Sequence, residues 1–154
     1  MNKKEYMNLG VCEATVTMNL NTGGPFGAVV VKDGEVISVA SNTVLRDNDP
    51  TAHAEVNAIR QACKKLGTYD LTGCELYATG YPCPMCLSAI IWANIKKVYY
   101  CNDVKKAENI GFRDDFIYDY IKNGNPDVLD LESCTTEEGL GLYNQYTEMN
   151  KIIY

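Results

Sequence analysis

Runs of β-branched and aromatic residues alternate with helical segments along most of the chain. No other feature limits the fold as strongly. AVVV at 28–31 and VISVASN at 36–42 flank Asp33-Gly34, a hairpin turn signal. CELYATG at 74–80 predicts a third strand and KKVYYC at 96–101 a fourth. Residues 3–20 predict an amphipathic helix whose inward face is Tyr6, Leu9, Cys12, Val16 and Leu20. Residues 44–52 read as a loop. It ends in Asp49-Pro50-Thr51, a helix-start signal, and the helix runs to about residue 66 with Gly67 as its stop. Pro82 precedes another helix reaching about Ala93. DVKKAENIG and DDFIYDYIK predict short helices, and the tail from about Thr135 is helix-like. Strands alternating with helices argue for an α/β fold: a three-layer α/β/α sandwich around a central mixed sheet.

At 154 residues this is one domain, 1–154, with a breaker, NGNPD, at 123–127. No apolar run approaches the roughly 20 residues of a membrane span. MNKKEYMNLG lacks the apolar stretch of a secretory leader, so a cytoplasmic protein is expected. Residues 1–101 carry nine Lys/Arg and nine Asp/Glu, whereas 102–154 carry five against eleven. Nucleic-acid binding normally needs a basic stripe, and none is present, so nucleic acid is not the expected partner. The seven cysteines, an odd number without a secretion signal, do not suggest a disulfide framework.

Two segments carry chemistry together. HAE at 53–55 holds the sole histidine, and PCPMC at 82–86 follows the third strand. His53, Cys83 and Cys86 supply one imidazole and two thiolates. That is a three-ligand zinc set with a fourth position open for water, the catalytic arrangement. The i, i+3 spacing puts both sulfurs on one helix face, and a helix N-terminus favours thiolates. Positions 53 and 55 lie about 200° apart around a helix. They serve one site only if it lies beyond the helix end, so zinc is expected between two helix N-termini. Glu55 is then left to move a proton from water to a leaving nitrogen.

The H-x-E…P-C-x-x-C signature is that of the zinc deaminases. GGPFGAVVVKDG, SNTVLRDNDPTAHAEVNAIRQAC and PCPMCLSAIIWA resemble the cytidine deaminase superfamily, in its purine and tRNA-adenosine branch. IGFRDDFIY at 110–118 narrows the resemblance to bacterial guanine deaminases. The resemblance implies zinc on His53, Cys83 and Cys86, with Glu55 as the catalytic proton shuttle. It implies substrate contacts from Asn42, Phe26, the Ala54 backbone, Phe112 and Asp114. Phe26 is equally suited to the core, and Asp114 to capping a helix. Trp92 could close the pocket wall, though core packing suits it better. The resemblance further implies a homodimer that exchanges residues 124–154, with Tyr154 closing the partner's site. Tyr81 stands where related sequences often carry an acid or a small polar residue, and the tail has no tryptophan. The expected reaction is hydrolytic deamination of a nucleobase, guanine to xanthine and ammonia. The alternatives are deamination of tRNA adenosine or cytosine, and a non-catalytic zinc module.

Overall fold

A computed structural model describes all residues, 1–154. It divides into two compact units, Met1–Tyr118 and Asp119–Tyr154. The first unit is built on a four-stranded sheet of order β2-β1-β3-β4. The strands are β1 (Gly27–Lys32), β2 (Glu35–Ser41), β3 (Cys74–Gly80) and β4 (Lys97–Asn102). β1 pairs antiparallel with both β2 and β3, and β3 pairs parallel with β4. The β1–β2 turn falls at Asp33-Gly34 as expected. Both residues have positive φ, 49° and 79°, which suits a two-residue hairpin.

This topology positions everything that follows. β2 and β3 are both antiparallel to β1, so they run in the same direction and their C-terminal ends lie at one end of the sheet. The helix after each therefore starts at that end. These are α3 (Ala54–Leu66), after β2 and the short α2 (Val44–Asp47), and α4 (Pro84–Trp92), after β3. Both pack on one face. Ala54, Ala58 and Ala62 of α3 and Ile90 of α4 share a core with Ala28, Val30, Leu76 and Ala78. The opposite face holds Val29, Val31 and Tyr77 under Tyr6 of α1 (Lys3–Leu20). The sheet is thus covered on both faces, as the alternation of elements suggested.

Three local expectations need correction. α1 spans residues 3–20, but its buried face is Tyr6, Gly10, Ala14 and Thr17. Cys12, Val16 and Leu20 are exposed and Leu9 is only half-buried. Close approach explains this: a Cβ on Gly27 would lie 1.9 Å from the Gly10 carbonyl oxygen. Only small residues fit that contact, so the larger apolar side chains turn outward. The 44–52 segment is not all loop, because α2 lies within it. Asp49 does not start α3 either. Its Oδ1 accepts from the Thr51 amide at 2.8 Å and hydroxyl at 2.6 Å, bracing the loop. His53 stands at the N-cap of α3 instead. Gly67 ends α3 in the left-handed conformation, φ 68°.

α5 (Val104–Asn109) follows β4, and α6 (Asp115–Asn123) leads into the second unit, which contains α7 (Glu137–Glu148). No residue of 119–154 is buried. No helix is long and apolar enough to cross a membrane.

Candidate functional site

The common end of β2 and β3 opens into a cavity of about 420 Å³, within the range of small-molecule sites. His53, Glu55 and Cys83 line it from the two helix starts, and Phe26, Asn42, Phe112 and Asp114 line it from surrounding loops.

The two helix starts differ. α4 has Cys83 at its N-cap with Pro84 next, and Cys83 Sγ accepts from the Cys86 amide at 3.5 Å. One sulfur therefore caps the helix while facing the cavity. α3 has His53 at its N-cap with no side-chain cap bond. The imidazole turns toward the sulfurs: Nδ1 lies 3.5 Å from Cys83 Sγ and 3.6 Å from Cys86 Sγ. The three ligand atoms lie within 4.8 Å of one another. A tetrahedral zinc with ordinary Zn–N and Zn–S bonds would place nitrogen and sulfur about 3.6 Å apart. The donor set and its spacing both fit zinc.

Glu55 is 7% exposed and its Oε2 is 3.4 Å from Cys86 Sγ. It faces the cavity from the first turn of α3, so i and i+2 meet beyond the helix end. Burial raises the Glu55 pKa above the ordinary carboxylate value. The hydrogen bond with Cys86 draws the Cys83 thiol well below its ordinary value, with further help from His53, while the same pairing and burial hold Cys86 up. The hydrogen bond to Cys83 raises His53. Asp114 is raised, first by burial and then by the nearby Cys83.

Asn42 follows β2 and is buried. Its Oδ1 accepts from the Val44 amide at 3.1 Å and the Gly24 amide at 3.4 Å. The carboxamide is thereby oriented, with Nδ2 the side not engaged by those amides. Gly23 makes this possible, since a Cβ there would lie 2.1 Å from the Asn42 carbonyl oxygen. Phe26 and Phe112 pack edge to face at 5.0 Å between centroids. The Asp114 carbonyl starts α6 by accepting from Ile117 and Tyr118, while the residue also lines the cavity. Ala54 is fully buried at the first position of α3. Tyr154 belongs to the second unit and is 80% exposed.

Trp92 meets neither expectation placed on it. It is 69% exposed at the end of α4 and does not line the cavity, because Cys86 and Ile90 form the inward face of that helix. Gly23, Leu45, Pro50, Ala107 and Tyr81 also line the cavity, none of them expected there from the sequence. Tyr81 lines the cavity and stacks edge-on with Tyr100. Its place directly before PCPMC was the signal available for Tyr81.

A family model for the cytidine and deoxycytidylate deaminase zinc-binding region matches residues 1–102. The guanine deaminase of Bacillus subtilis (strain 168) is 51% identical over 121 residues, covering 79% of this chain and 78% of that protein. The tRNA-specific adenosine deaminase of Aquifex aeolicus (strain VF5) is 53% identical over 76 residues, covering 49% and 50%. Among solved structures, the X-ray structure of guanine deaminase from Bacillus subtilis superposes with a TM-score of 0.95 at 44% identity. That superposition covers 100% of this chain and 99% of the other. Three ligand atoms at zinc spacing, two helix starts that bring them together and a family model covering both motifs agree: the chain belongs to the zinc-dependent deaminases of the cytidine and deoxycytidylate deaminase family.

Proposed function

We propose that this protein hydrolyses guanine to xanthine and ammonia. The observation that carries the reading is the likeness to a guanine deaminase from end to end, whereas the tRNA-specific relative matches over about half of each chain. The chemistry of the cavity supports it. Guanine offers N1–H and an exocyclic amine as donors, and the Asp114 carboxylate is an acceptor for both. Asn42 donates from Nδ2 to an acceptor on the base. Phe26 and Phe112, packed against each other, form one apolar wall for the ring, with the Ala54 backbone beside the substrate carbonyl.

His53, Cys83 and Cys86 would hold zinc, which supplies a water activated for attack at neutral pH. Glu55 is the catalytic residue: it takes a proton from the attacking water and returns it to the departing amine nitrogen. The ring C2–N bond breaks, a C2–O bond forms, and one water is consumed for each ammonia released. The test is ammonia release from zinc-loaded protein offered guanine, cytosine, adenine and tRNA. Turnover confined to guanine is the expected result, and preferential turnover of another substrate overturns it. A tRNA substrate is favoured by the adenosine deaminase relatives, but the acidic balance of residues 102–154 opposes a phosphate backbone.

The working unit in this reading is a homodimer exchanging residues 124–154, with Tyr154 completing the partner's site. The support is physical. The second unit buries none of its residues yet carries Leu129, Leu131, Leu140, Leu142, Ile152 and Ile153 exposed, and short helices need apolar packing to persist. The first unit leaves Ile91, Trp92 and Tyr100 exposed. If tails are exchanged, refolding Glu55→Gln chains together with Tyr154→Ala chains restores up to about a quarter of wild-type activity through mixed dimers. No recovery in verified mixed dimers argues against exchange. The free cysteines suit a reducing cytoplasm, where metal-binding thiols stay available.

A further inference from the structure

The side chain of Asn57 sits one turn into α3, outside the ligand set. Its Nδ2 lies 2.9 Å from the Ser41 carbonyl oxygen, 2.9 Å from Thr43 Oγ1 and 3.3 Å from the Ala52 carbonyl oxygen. Two of these partners can only accept. The third, the Thr43 hydroxyl, sends its own proton to Asp47 Oδ2 at 2.7 Å and so accepts from Asn57. The amide orientation is therefore fixed by its surroundings.

These acceptors are not scattered. Ser41 and Thr43 flank Asn42, and Ala52 precedes His53. The Thr43 amide also donates to the Ala52 carbonyl at 2.9 Å, and the Asn57 amide to the His53 carbonyl at 2.9 Å. One side chain thus ties the strand end that presents Asn42 to the loop that presents His53. We propose that Asn57 is a positioning residue that holds Asn42 and His53 in one register, so that the base is bound at the correct distance from the metal ligands. This rests on the reading of Asn42 as a base-binding residue. The sheet ladder reaches this segment only as far as Asn42, whose amide donates to the Phe26 carbonyl at 3.0 Å; beyond it the chain carries only the four-residue α2. An Ala at 57 takes the side-chain donor away from the Ser41 carbonyl and removes the side chain that spans both segments.

The test combines a double-mutant cycle with amide exchange. Asn57→Ala is expected to retain one zinc per chain and to raise KM for guanine by about tenfold, the loss typical of one or two buried hydrogen bonds, with a smaller change in kcat. Asn42→Ala should then cost much less in the Asn57→Ala background than in the wild type, since a misplaced Asn42 has little left to lose. Hydrogen exchange at the Thr43 and Val44 amides should accelerate about tenfold or more, while the Val29 amide of β1, which is paired on both sides, is unchanged. Additive kinetic losses, or unchanged exchange at both amides, overturn the proposal. If the wild type turns over no base, the functional reading fails, and the exchange measurement still decides the clamp. If Asn57→Ala does not fold, Thr43→Val removes one of the three acceptors shared by the two N–H groups and is expected to show the same non-additivity with Asn42→Ala at smaller size.

Discussion

The starts of α3 and α4 face the same cavity but are built on different terms. At α4 one residue serves helix and site together, because Cys83 caps the helix with the sulfur that faces His53. At α3 the two demands separate. The N-cap position is given to His53, whose ring makes no cap bond, so the helix start forgoes a stabilising contact for the sake of the site. A missing N-cap costs about 1 kcal/mol. Burial of Ala54, Ala58 and Ala62 and the left-handed Gly67 stop offset it. α3 also carries Glu55, whereas the first turn of α4 has no acidic residue. In the proposed reaction α4 only holds the metal, whereas α3 holds it and also moves protons through Glu55.

Substitutions can break this contrast, and the largest effect belongs to the metal. Cys86→Ala should abolish stoichiometric zinc and all measurable deamination together; zinc retained at one per chain would show that another group completes the site. Glu55→Gln, on the other helix, should keep zinc and lower kcat by about 10² to 10⁴, the usual contribution of a positioned acid–base group. Near-wild-type turnover would remove Glu55 from the reaction. Stability of the metal-free protein gives a finer test. His53→Ser installs a proper cap on α3 and should stabilise the apo protein by about 1 kcal/mol, or roughly 2–4 °C in Tm. Cys83→Ser exchanges one capping atom for another and should shift apo Tm least, within about 0.5 kcal/mol. Equal shifts for the two serine variants would erase the difference between the two helix starts.

The same contrast explains what could be read before the fold was known. Both helix starts were legible because metal chemistry restricts residue type and spacing, and a strand or loop before each motif implied a helix end. The four strands were legible from β-branched runs, and CELYATG coincides with β3. The inward face of α1 was not. Its apolar pattern points away from a contact in which Gly10 meets Gly27, so bulk was misleading where proximity governed. The short α2 and the lining residues Gly23, Leu45 and Pro50 were hidden for another reason. Their placement depends on hydrogen bonds between distant segments, such as those of Asn42 with Gly24 and of Asn57 with Ser41, which leave no periodic trace.

Trp92, the single tryptophan, stands 69% exposed at the end of α4. The chain thus carries one tryptophan reporter, and it watches the surface, not the core. Where that face stays open to solvent, denaturation will leave the fluorescence maximum almost where it was. Where a second copy covers it, dissociation on dilution will shift the emission to the red before any strand of the sheet is lost.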